Sequence, residues 1–164
     1  MTYNTNSSII GVDLDNTSTT QLFALGTHCL GNNNSEWVYV QASTSVTAYK
    51  MVAFNNVYAM GMASGTDLIM GNQIGVAQTV FLAAAYGWVA IRGNSLGVMV
   101  TGSCTLTAQG IYLASSSMPT GMLGQSASGS GTMAGISFVS VNQTSTATVQ
   151  GALLSWPRGN APGL

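Results

Sequence analysis

The sequence has 164 residues, of which only seven are charged, three Lys or Arg and four Asp or Glu, for a formal net charge of −1. At 4% the charged fraction lies far below the roughly 25% of an ordinary soluble domain. No basic surface is available to neutralise phosphates, which excludes electrostatic binding of nucleic acid or of an anionic membrane.

The length predicts a single domain that buries its own core without metal, cofactor or disulfide. Mean hydropathy is +0.33. The longest apolar run, Val80 to Ile91, is broken by Gly87 and is too short for a spanning helix. The opening MTYNTNSS lacks the basic start and apolar stretch of a secretory signal, so a cytosolic origin is expected. In that compartment Cys29 and Cys104 are expected to be buried small apolar residues and not a disulfide.

Residues Met1 to Thr20 are rich in Asn, Ser and Thr, with Ile9, Ile10, Val12 and Leu14 as apolar anchors, and read as an extended N-terminal arm. Within it, 13-DLDNT-17 follows 9-IIGV-12 and resembles the first motif of the haloacid-dehalogenase phosphatases. That chemistry needs Mg²⁺ held by further carboxylates. The only later acids are Glu36 and Asp67, and no α/β pattern follows, so the better reading is a turn in a hydrated arm. Next come His28 and Cys29, neighbours that a strand points to opposite faces, which disfavours a shared reaction centre.

From Gln21 onward short runs rich in Val, Ile, Thr and aromatic residues recur: 37-WVYVQAS-43, 48-AYKMVAFN-55, 75-GVAQTVFL-82, 87-GWVAIRG-93, 96-LGVMVTG-102, 105-TLTAQGIYL-113, 135-GISFVSVN-142 and 146-TATVQGALL-154. Asn, Gly and Ser clusters such as NSLG and NQTS punctuate them, and 80-VFLAAAYG-87 has room for one turn before the next strand. The pattern predicts an all-β, single-domain sandwich or barrel of short antiparallel strands over residues 21–164, preceded by the arm over 1–20. In GWVAIRG, alternation sends Trp88, Ala90 and Arg92 to one face and Val89 and Ile91 to the other. One face packs on the core; the other offers Trp88 and Arg92 to an interface.

Three weaker signals follow from composition. The segment 129-GSGTMA-134 fits a dinucleotide fingerprint on paper, but a strand follows it where a helix is required. Sequons at Asn6, Asn16, Asn33 and Asn142 are expected by chance in a chain so rich in Asn, Ser and Thr. Trp37, Trp88 and Trp156 with six tyrosines can build a sugar-stacking platform, although core and interface packing is the commoner use.

Three stretches, 25-LGTHCLGNNNSEWVYVQAS-43, 75-GVAQTVFLAAAYGWVAIRG-93 and 147-ATVQGALLSWPR-158, resemble the small capsid decoration, or cement, proteins of tailed bacteriophages, particularly aquatic ones. The likeness rests on the L-G-T opening, the W-V-Y-V-Q-A strand, G-V-A-Q followed by Y-G-W-V, and the terminal W-P-R. It runs from about Leu25 to Arg158 and leaves out the arm. The resemblance implies a non-enzymatic protein that binds the major capsid protein on the outer surface of the virion, commonly as a homotrimer, and reinforces the shell. It would be assembled in the host cytoplasm. Candidate capsid or subunit contacts are Ile9, Ile10, Val12 and Leu14 of the arm, with Trp88 and Arg92. The arm has two available roles, docking on a partner or packing on its own barrel as an edge strand. A rival reading is a β-sandwich carbohydrate-binding or head-fibre module that displays the tryptophans.

Overall fold

The computed structural model describes residues 12–32, 34–64, 67, 72–100, 121–123, 132–138 and 147–160. Among them run eight strands: β1 (His28–Leu30), β2 (Glu36–Ala42), β3 (Met51–Phe54), β4 (Ala59–Met62), β5 (Gln73–Val76), β6 (Tyr86–Val100), β7 (Thr132–Phe138) and β8 (Thr148–Asn160). All belong to one sheet, and the protein is all-β.

Five strands close on themselves in the cyclic order β2–β4–β3–β5–β6 and back to β2. Every pairing in this ring is antiparallel except β2–β4, where Gln41 and Ala42 run parallel to Ala59 and Met60. The architecture is therefore a barrel with one parallel seam. β1 flanks β2, while β8 and then β7 extend the sheet from β6.

Alternation sorts the ring's side chains into two apolar clusters. Val38, Val40, Ala42, Val52, Phe54, Met60, Val89 and Ile91 form one, joined by Val46, Ala77 and Phe81 from the connections. Its members come only from the ring and its loops, so this cluster is the barrel interior. Two glycines make the fit: a Cβ on Gly75 would lie 2.4 Å from Val89 Cγ1, and one on Gly87 would lie 2.7 Å from the Phe81 ring. The opposite positions, among them Trp37, Tyr39, Met51, Ile74, Val76, Trp88 and Ala90, are buried too. Leu14, Cys29 and the outer-sheet residues Leu96, Val98, Ile136, Phe138, Ala152 and Leu154 share their cluster. Apolar clusters therefore lie on both faces of the ring, and β3 is buried at all four positions.

β6 is fifteen residues long because it serves two neighbours. Its first half pairs with β2 up to Arg92, and its second half pairs with β8. The NSLG segment, expected as a turn, is a bulge within this strand: Gly93 faces Leu154 and Leu96 faces Ala152, so two residues stand against one. The run 80-VFLAAAYG-87 does turn once, with Ala84 at φ 65° and Ala85 N donating to Leu82 O.

On its other side β6 meets a side chain in place of a strand. Buried Gln78 donates from Nε2 to Gly97 O and accepts at Oε1 from Gly97 N, each at 2.9 Å. The amide thus stands where a strand neighbour would bond both backbone groups of Gly97. Gln78→Leu is expected to lower unfolding free energy by about 3 kcal/mol, since it strands a buried N–H and C=O together; urea denaturation measures it, and a loss below about 1 kcal/mol would mean that the amide is dispensable.

The described part of the arm packs on its own barrel. Leu14 is buried, Val12 packs beside it, and Ser18 exchanges both backbone bonds with Tyr86, at 2.9 and 2.8 Å. Removing Met1 to Thr20 is expected to cost about 2–4 kcal/mol by uncovering the apolar surface beneath Leu14. A truncated chain with unchanged thermal stability would contradict this packing.

Candidate functional site

The residues singled out from sequence are divided by the fold. Ile9 and Ile10 lie outside the described residues. Val12 and Leu14 face the chain's own core, and Trp88 belongs to the same cluster at 2% exposure, packed against Phe23 and Tyr39 and not offered to solvent. Arg92 is half-buried at the surface. The DLDNT segment is an Asx turn in which Asp13 Oδ1 accepts from Asp15 N at 3.0 Å, with both aspartates exposed and Leu14 buried between them.

Arg92 belongs to a surface constellation at the seam between barrel and outer sheet. His28 Nδ1 donates to Glu36 Oε1 at 2.8 Å. Glu36 lies opposite Arg92 in the β2–β6 register, and the Arg92 guanidinium sits over the Trp156 ring, 4.9 Å from its centroid. Arg92 thus stands between the His28–Glu36 pair across the register and one tryptophan that is 45% exposed. A bulge creates this presentation. Ala134 faces Arg158 and Ile136 faces Leu154, so Ser155, Trp156 and Pro157 stand against Gly135 alone. A Cβ on Gly135, at φ 85°, would lie 2.5 Å from Ser155 O. Trp156 itself is held at φ 45°, an uncommon backbone for a bulky residue.

A second feature is a cleft of about 150 Å³ between arm and barrel. Asp13, Asn16, Thr17 and Ser18 line it from the arm, and Tyr39, Tyr86, Gly87 and Trp88 from the barrel, with Leu22 and Phe23 from the connecting segment. Its aromatic rings pack on one another: Phe23 is 5.3 Å from both Tyr39 and Trp88, Tyr39 is 5.1 Å from Trp88, and Tyr39 stacks with Tyr86 at 6.4 Å. Tyr39 Oη accepts from Leu22 N at 3.1 Å, and Tyr86 Oη accepts from Gln41 Nε2 at 3.0 Å.

The three tryptophans do not share a surface. Trp37 and Trp88 are buried, and only Trp156 presents its ring. Trp37 Nε1 donates to Ser35 Oγ at 3.0 Å, which satisfies the indole in the core. His28 and Cys29 point to opposite sides of β1, exposed and buried respectively, while Cys104 lies outside the described residues. Among the described residues no group of three or more His, Cys, Asp or Glu side chains gathers. Lys50 packs its stem beneath Gly121, and burial pushes its ammonium below the ordinary lysine value. Unfolded Lys50 therefore holds its proton to higher pH than folded Lys50, and this group favours folding more as pH rises through that interval.

Compared with known families, with curated proteins and with solved structures, the chain matches none.

The Arg92–Trp156 contact lends itself to a double-mutant cycle. Arg92→Ala, Trp156→Ala and the double variant are expected to give a coupling of about 0.5–1 kcal/mol in unfolding free energy. Strict additivity of the two losses would show that ring and guanidinium do not interact.

Proposed function

We propose that this protein is a non-enzymatic capsid decoration, or cement, protein that binds the major capsid protein on the outer surface of a phage head and acts as a homo-oligomer, commonly a trimer. The observation that carries this reading is the chemistry of the surface. Val80 and Leu82, 52% and 66% exposed, project outward on either side of buried Phe81, and Leu22, Leu30 and Val57 are each at least 59% exposed. Large apolar side chains presented by a chain with so few charges suit burial against protein neighbours.

Two further features support it. The stretches that resemble decoration proteins occupy β1 and β2, β5 with the first half of β6, and β8, and β2, β5 and β8 all pair with β6. The exposed Trp156 stands beside Arg92, and both residue types are enriched among the anchors of protein interfaces. No reaction is involved. A protein that binds only the assembled shell stabilises it by mass action, about 4 kcal/mol per site at a thousandfold excess over Kd, and repetition over the lattice multiplies the effect.

Cosedimentation with expanded phage heads lacking the protein is the direct test. Saturable binding and a higher rupture temperature of the heads are expected, with Trp156→Ala weakening attachment by about tenfold or more, as loss of an interface anchor does. Heads that bind none of the protein, or rupture at the same temperature with it bound, would overturn the reading. Light scattering that gives a monomer at micromolar concentration, and a monomer on the head, would remove the trimer.

A further inference from the structure

We propose that the cleft between arm and barrel is a binding site for a single neutral sugar ring, a glycan unit held at one point while the rest of the glycan projects into solvent. The inference goes beyond capsid attachment, and it moves sugar recognition from a platform of three tryptophans to a cleft that no local stretch of sequence defines.

Size sets the first limit. A space of about 150 Å³ is of the size that takes one six-membered ring. Composition sets the second. Tyr86 and Phe23, both half-buried, and exposed Leu22 give apolar contact, and buried Tyr39 and Trp88 close the floor. The arm contributes polar groups to the same space. Asp13 gives Oδ1 to Asp15 N, but a carboxylate has two oxygens and about four acceptor sites, so capacity for hydroxyl donors remains. Asn16 uses Oδ1 for Thr17 N at 3.0 Å, and its amide NH₂ is a two-proton donor on an exposed side chain.

A pyranose needs this combination, with C–H groups against aromatic and aliphatic surface and hydroxyls read by a carboxylate and an amide. Other ligand classes fit less well. Among the described residues no Lys, Arg or His lines the cleft, so the only side-chain charge an anion would meet there is the Asp13 carboxylate. A wholly apolar ligand would desolvate Asp13 and Asn16 without giving them partners. A metal ion would find one carboxylate where it needs several oxygen ligands.

The test is saturation-transfer NMR and calorimetry of the full chain with a panel of neutral methyl hexopyranosides, with choline as the competing cation. At least one glycoside is expected to bind with a Kd of about 1–10 mM, the order for one small ring at an open site. Asp13→Asn, which keeps the acceptor for Asp15 N, and Asn16→Ala are each expected to weaken binding about tenfold with the melting temperature unchanged. Trp156→Ala is expected to leave sugar affinity as it was. No saturation transfer from any glycoside at about 50 mM, well above that range, would overturn the proposal. So would equal affinity in both arm variants, or tighter binding of choline than of every glycoside, which would make the cleft a cation site. None of these outcomes bears on capsid attachment, which cosedimentation measures separately.

Discussion

A sheet closed with five strands has a very small radius, and everything inside it must be side chain. Here the interior is filled by Val, Ile, Phe and Met from four strands, and there is room for Val89 and Phe81 only because Gly75 and Gly87 carry no Cβ. The arm and the outer sheet then cover the other side of the ring. Strand positions buried on either face have no place for a charged side chain, which accounts for much of the sparse charge of the chain. Most of the charges that can be placed sit where burial ends: Asp13 and Asp15 on the arm, Asp67 tied to Ser64 and Asn72, and Glu36 with Arg92 at the seam.

Strand content was legible because β-branched and aromatic runs mark β2, β3, β6 and β8. β4 was not: Ala59, Met60, Gly61 and Met62 have weak strand preference, and they are held by a parallel partner in β2 and an antiparallel one in β3. β1 is three residues long and exists through its pairing with β2. Asn94 and Ser95 resemble a turn in composition, yet β8 is present alongside to carry the ladder across them. In each case long-range pairing outweighs the local preference.

The site was less legible, for a reason of parity. Alternation predicts which side a residue faces only while the ladder is regular, and each bulge that adds one residue reverses the phase. Between Ala90 and Arg92 the register with β2 slips, since Ala90 faces Trp37 and Arg92 faces Glu36. Trp88 and Arg92 therefore part company, one into the core and the other to the surface. Trp156 becomes exposed through a third irregularity, for which the sequence does carry a signal, a proline directly after the tryptophan within a strand. The cleft carries no comparable mark. Its rings come from Phe23, Tyr39, Tyr86 and Trp88, brought together by the arm and by the β2–β6 pairing.

The order of the strands along the chain also has a kinetic meaning. All five ring strands lie between Glu36 and Val100, so a ribosome synthesises every strand of the barrel before β7 and β8. Until β8 pairs with β6, the outer face of the ring, with Met51, Ile74, Val76 and Ala90, lacks the cover that the outer sheet gives it. The roughly 60 residues from the end of β6 to the end of β8 take on the order of 3–12 s to synthesise at 5–20 residues per second. During those seconds each nascent chain exposes a broad apolar wall, and chains crowded on one message face their greatest risk of sticking to one another then, before the finished protein has met any partner.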